Sequence, residues 1–248
     1  MDAFQYLIME QKLFELAETL GQRESGKYSI TDVAISKIPY VIYPGLDNNQ
    51  NLIIHELAEY VLKQAKEDNN SNEVAVTYDL SCDLDISNGL EQILEKTGVC
   101  YGTENDTNLF SDTQSMSIIM RASDVVVVNI HNHPGCSPFS TVDISSFLKE
   151  TSIKLMIVIG NNGELHYLSK ELDKYNHDSA REYLTQAGRI VRPDIDEKTT
   201  LSAKDQREVA DLFLKNCKNF GIDYRHVLGS SRKLEKEHNA LKNRQGGR

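Results

Sequence analysis

Apolar positions change their spacing several times along the chain, and each change marks an expected element. Residues 3–20 carry Phe4, Leu7, Ile8, Leu13, Phe14, Leu16, Ala17 and Leu20 at helical spacing, with Gly21 as a stop. Between 27 and 45 the pattern tightens. Tyr28, Ile30, Val33, Ile35, Ile38 and the run Tyr40-Val-Ile-Tyr43 predict extended structure that Pro44-Gly45 ends. A helical period returns over 51–66 through Leu52, Ile53, Leu57, Val61, Leu62 and Ala65, and the polar run 67–72 then leads into a strand over 73–80.

Residues 81–115 are polar and weakly patterned, apart from a short helix near 90–96. A helix over 112–122, a strand over 124–131 and a helix over 140–151 follow. Strands at 153–159 and 164–168 are joined by Gly160-Asn161-Asn162-Gly163, a hairpin signal. Beyond 171 the stripes near 179–190 and 203–219 predict mainly helix. No internal repeat is present. The pattern reads as an α/β sandwich-like domain over 51–170, with an N-terminal accessory segment over 1–50 and a mainly helical C-terminal extension over 171–248.

Composition narrows the class. Across 248 residues, 40% are hydrophobic and 26% charged, as in globular proteins. The formal charge of −10 argues against general affinity for phosphate backbones, which clustered cations drive. The stretch 231–248 departs from this: six cations against two carboxylates give +4 there and −14 elsewhere. Such a tail leaves nucleic-acid contact open, although a solvated terminus explains it as well. The longest apolar runs, such as 125–128, are far short of the ~20 residues that cross a bilayer. The opening Met1-Asp2-Ala3-Phe4 has no cationic signal-peptide start. Cys82, Cys100, Cys136 and Cys217 form no Cys-x-x-Cys pair. A cytoplasmic protein with reduced thiols and no membrane partner is the expectation.

Candidate chemistry is concentrated in Val125-Val-Val-Val-Asn-Ile-His131-Asn132-His133-Pro134-Gly135-Cys136-Ser-Pro-Phe-Ser140-Thr-Val-Asp143. A strand sends residues i and i+2 to one face, so His131 and His133 aim two imidazoles at one point. Pro134-Gly135 ends the strand at once. Ser140 and Asp143 have the spacing of N-cap and N3 at the next helix. Two imidazole nitrogens and one carboxylate form a full protein ligand set for a catalytic zinc, whose fourth position is left to water. Taken singly, a strand-end histidine or a Ser-x-x-Asp has an ordinary structural explanation. Within thirteen residues, after a strand and before a helix, the metal explanation prevails.

The arrangement resembles the JAMM/MPN+ family of zinc metallopeptidases, whose signature is an upstream Glu, then His-x-His-Pro, then Ser-x-x-Asp. The resemblance spans roughly 52–168. It implies an α-β-α sandwich of the JAMM/MPN-like, cytidine-deaminase-like kind with helical additions at both ends. It also implies one zinc per chain held by His131, His133 and Asp143, with Ser140 helping to stabilise the oxyanion. The water-activating glutamate falls on Glu73, which starts a strand 58 residues before His131. Glu91 and Glu95 on a short surface helix, and Glu104 in a loop, are its rivals. Nine residues separate His133 from Asp143, where the commonest family pattern has ten, so the connecting loop is tighter. Asn132 is like the bacterial branches, among them RadC-like proteins and toxin- or phage-associated domains.

By resemblance the activity is hydrolysis of a peptide or isopeptide bond in a protein or peptide substrate, ubiquitin-like ones included. A RadC-like role in DNA repair or mobile elements is one alternative, and an inactive partner-binding scaffold is another. Other signals carry less. His55-Glu56-Leu-Ala-Glu59 starts like a zincin helix but has Glu where the second His belongs. Cys136 lies in the metal loop beside a ligand set that is full without it. His166, His177, His226 and His238 are scattered. No phosphate-cradling glycine motif occurs.

Overall fold

A computed structural model describes residues 27–104, 107–194 and 201–228. The helix expected over 3–20 and the basic tail over 231–248 lie outside them. Among the described residues the protein is α/β, with six strands in one mixed sheet. They are β1 (Val74–Asp79), β2 (Gly98–Tyr101), β3 (Val127–His133), β4 (Ile153–Gly160), β5 (Leu165–Lys170) and β6 (Ile222–Val227), in the order β2-β1-β3-β4-β5-β6. The described helices are α1 (Asp32–Ser36), α2 (Asn48–Glu67), α3 (Leu90–Leu94), α4 (Thr113–Arg121), α5 (Thr141–Lys149), α6 (His177–Val191) and α7 (Ala203–Asn216). Among the described residues no helix is long and apolar enough to cross a membrane.

By contacts the described residues fall into two compact units, one of 27–138, 152–169 and 225–228 and one of 139–151 and 170–224. In the first, α2 is the central helix. Asp47 caps it by accepting from Gln50 N–H, and the Gln50 side chain returns the bond to the Asp47 N–H. Its buried stripe, Ile53, Ile54, Leu57, Ala58, Val61, Leu62 and Ala65, shares a core with Val74, Val76 and Tyr78 of β1, Val128 and Ile130 of β3, and Ile157 and Ile159 of β4. Strand alternation therefore turns Ala75, Thr77, Asn129, His131 and His133 to the other face. β1 runs antiparallel to β3 with Ala75 opposite His131, and β3 runs parallel to β4. A parallel pair needs a crossover, and the segment carrying α5 supplies it. Gly98 of β2 is required by close approach, since a Cβ there would lie 2.2 Å from Ser115 Oγ of α4.

In the second unit, Ala187, Leu201 and Val209 form a small core with Leu184, Val191 and Leu212 beside it. Lys170 is 1% exposed and closes the C-terminal end of α5, donating to the carbonyls of Glu150 at 3.0 Å and Thr151 at 3.4 Å. The rings of Phe147 and Tyr175 lie 4.7 and 5.1 Å from its ammonium. Burial pulls its pKa down to about 7.

Two expectations are corrected, and one element is added. Residues 27–45 contain no strand; Thr31 caps the short helix α1 by accepting from Ala34 N–H. Ile30, Ile35, Ile38 and Tyr43 are buried in the α2 core through a helical turn and irregular chain, which hold the same apolar residues without a ladder. The weakly patterned region hides β2, and the mainly helical C-terminal region contains β6. Both are short strands, and β2 alternates buried and open positions along β1.

Candidate metal centre

β3 delivers the two histidines. Val127–His133 is buried throughout, and the chain turns at once after His133, where Cys136 N–H donates to the His133 carbonyl at 3.0 Å. Cys136 adopts φ +55°, a left-handed conformation that costs a non-glycine residue energy and sharpens the turn.

Each imidazole has its Nδ1 engaged. His133 Nδ1 lies 3.0 Å from the Ser137 carbonyl, which only accepts, so Nδ1 carries the proton. His131 Nδ1 lies 3.2 Å from Asn129 Oδ1, and the Asn129 amide is oriented by its Nδ2 donating to the Val76 carbonyl. With Nδ1 engaged in each ring, the two Nε2 atoms are the ones turned toward each other, the arrangement that metal-binding histidines keep through an outer partner. The two Nε2 atoms are 3.2 Å apart. Nitrogens bound to one tetrahedral zinc at ~2.0–2.1 Å lie about 3.3–3.4 Å apart, close to the separation of this pair.

Asp143 is N3 of α5. Its Oδ2 accepts from the Ser140 N–H at 2.6 Å and from the Ser140 hydroxyl at 2.7 Å, while its own N–H donates to Ser140 Oγ at 3.1 Å. This closed capping box fixes the carboxylate in place. His131, His133 and Asp143 could hold a metal ion, with one ligand atom from each lying within 4.8 Å of the others. The donor set, two nitrogens and a carboxylate oxygen, suits zinc.

The chain matches no family model, no curated protein and no solved structure. The site therefore rests on its own geometry.

Glu73 directly precedes β1 and is buried at 7% exposure. Glu73 lies two residues before Ala75, which pairs with His131 as the last rung of the β1–β3 ladder. Its main chain is held from two sides: Glu73 N–H donates to the Thr103 carbonyl at 2.9 Å, and Gly102 N–H and Asn69 Nδ2 donate to its carbonyl at 2.8 and 2.7 Å. Thr107 Oγ1 donates to its Oε2 at 2.9 Å. Glu91, Glu95 and Glu104 are all exposed. Among the candidate glutamates, Glu73 alone is buried.

His55 is not part of this centre. It is buried in α2, pairs with Glu59 at 3.4 Å and meets Tyr40 edge-on at 5.7 Å. That hydrogen bond, with help from Lys63, holds the Glu59 carboxyl down at about 2. The four cysteines are free thiols. Burial raises the Cys136 thiol, against a thiolate ligand role.

Sequence reasoning missed Asn129, Ser137 and Thr107 as supports, and it passed over His166. His166 is buried on β5 opposite Val158, which itself pairs with His131, so one row across the sheet carries both histidines. Its ring stacks on His226 at 4.1 Å and 7°, and burial, then the charges of His226 and His133, pull its pKa down to about 4. A histidine inside the apolar run Leu165–Leu168 was the signal available in the sequence.

Proposed function

We propose that the chain is a zinc-dependent amide hydrolase of the JAMM/MPN+ type, acting on a peptide or isopeptide bond of a protein substrate. The observation that carries this reading is the convergence of His131 Nε2 and His133 Nε2 at 3.2 Å beside Asp143. When bound, zinc supplies a Lewis acid and an activated water. The chain's own residues do the rest. Asn129 and Ser137 engage the two Nδ1 atoms and so aim both Nε2 atoms at one point, and Ser140 holds Asp143 through Oδ2. Glu73, its carboxylate held by Thr107, takes the proton of the attacking water and returns it to the leaving amine as the C–N bond breaks. The Ser140 hydroxyl has its one proton directed at Asp143, so it orients the carboxylate first; donation to an oxyanion requires that hydroxyl to rotate.

An amide is favoured over a phosphodiester. Phosphodiester cleavage is usually served by two metals ~3.5–4 Å apart, and the described residues offer one ligand group. The formal charge of −10 also disfavours holding a duplex. The test is zinc-reconstituted protein on a panel of peptide and isopeptide-linked ubiquitin-like substrates, with plasmid DNA in parallel. Cleavage of an amide substrate should be abolished by chelation. Glu73→Gln should keep its zinc and lose ~10²–10⁴ in rate. Chelator-sensitive DNA nicking with every amide substrate intact would overturn the choice of bond. Zinc-loaded protein inert on the whole panel would favour the partner-binding scaffold.

A further inference from the structure

Asn132 sits between the two histidines on β3, and alternation turns its side chain away from theirs into a fully buried position. There it grips the chain on both sides of Glu73. Its Oδ1 accepts from Val74 N–H at 2.7 Å, and its Nδ2 donates to the Asn72 carbonyl at 3.1 Å. The last backbone pair between β1 and β3 here is Ala75–His131, so the Asn132 amide acts as an extra rung beyond it. Nδ2 also donates to Asn161 Oδ1 at 2.8 Å. Asn161, 1% exposed in the β4–β5 turn, donates in turn to the carbonyls of Tyr28 at 2.7 Å and Ser71 at 3.0 Å. Asn70 and Ser71 have φ +50° and +59°, so the turn that delivers Glu73 is strained and needs these anchors.

We infer that Asn132 is a positioning residue that couples the strand bearing the histidines to the backbone of Glu73, setting the place of its carboxylate. The inference rests on the reading of Glu73 as the base. An amide is the side chain that suits the place, because it must accept from one neighbour and donate to two. Aspartate there would bring a carboxylate oxygen against the Asn72 carbonyl and Asn161 Oδ1, where no proton is available. A merely structural asparagine would stabilise the sheet without acting through Glu73, and the two roles separate experimentally.

The full-length protein is compared with Asn132→Ala, Asn132→Asp, Glu73→Gln and the double variant Glu73→Gln/Asn132→Ala. Zinc content, kcat and KM on the amide substrate, and amide hydrogen exchange are measured. Asn132→Ala should keep wild-type zinc stoichiometry and lose on the order of 10²-fold in kcat with KM unchanged. The double variant should be no slower than Glu73→Gln alone, since both changes act on one group. Exchange at Val74 should accelerate while Val76 and Tyr78 stay protected. Wild-type kcat would overturn the inference whatever the exchange at Val74, as would a rate loss that multiplies with that of Glu73→Gln. Loss of zinc from Asn132→Ala would overturn it too, by moving the effect to the ligands. If Asn132→Ala does not fold, Asn161→Ala removes one partner of Asn132 and is read by the same measurements. If wild type cleaves no amide, the hydrolase reading fails separately, and exchange at Val74 decides whether the grip exists.

Discussion

Replacing Ser140 by alanine separates the two jobs of its hydroxyl. The hydroxyl accepts from Asp143 N–H at 3.1 Å, closing the first turn of α5, and it donates to Asp143 Oδ2 at 2.7 Å. The Ser140 N–H, which already reaches Oδ2 at 2.6 Å, survives the change, so the carboxylate loses one of two bonds from this residue. Loss of an N-cap costs ~1 kcal/mol, and a bond to a charged group is worth ~1.5–3 kcal/mol. The side chains are partly exposed and one oxygen makes both contacts, so the metal-free protein should lose about 2 kcal/mol of stability rather than the full sum. The second effect falls on the metal. Removing an outer partner of a ligand typically costs ~10–100-fold in affinity, about 1.4–2.7 kcal/mol. Urea unfolding of the metal-free protein measures the first quantity. Zinc competition against a chromophoric chelator measures the second. Ser140→Thr keeps the hydroxyl and should recover most of both. A Ser140→Ala protein that is less stable yet binds zinc as tightly as wild type would refute the link from helix cap to metal ligand.

The metal itself gives a stoichiometric check. Reconstituted wild type should carry one zinc per chain by elemental analysis, lost in His131→Ala and His133→Ala and weakened in Asp143→Ala; a full complement in either histidine variant would remove that residue from the ligand set. Lys170 gives a pH signature. Its pKa falls from 10.5 to about 7 on burial, so between those values the unfolded chain binds the extra proton and stability rises with pH. Wild type should gain about 2 kcal/mol from pH 7 to pH 9 relative to Lys170→Met in urea unfolding. Parallel pH profiles for the two proteins would show that Lys170 is not held in the way its carbonyl and aromatic contacts indicate.

What the sequence by itself determined is what short-range geometry controls. His131 and His133 are two residues apart on a strand, and Ser140 and Asp143 are three apart at a helix start. The strand period and the N-cap hydrogen bond place those pairs whatever surrounds them. The long stripe of α2 and the hairpin of β4 and β5 were legible for the same reason. Glu73 was named from its place at the start of a strand and from a family resemblance, but only the β1–β3 register, with Ala75 opposite His131, brings its strand alongside the histidines. Pairing between strands so distant in sequence is a tertiary decision, because no local preference chooses between one register and the next. The same holds for β2 and β6, short strands with little signal of their own that form where a neighbouring strand offers a ladder. It holds too for 27–45, whose apolar residues read as extended until the core that buries them could be seen. The supports followed this rule as well: Asn129, Thr107, Asn132 and Asn161 are polar residues whose task depends on which buried donor or acceptor they face. That is settled when strands and turns distant in sequence are brought together and every buried polar group has to find a partner.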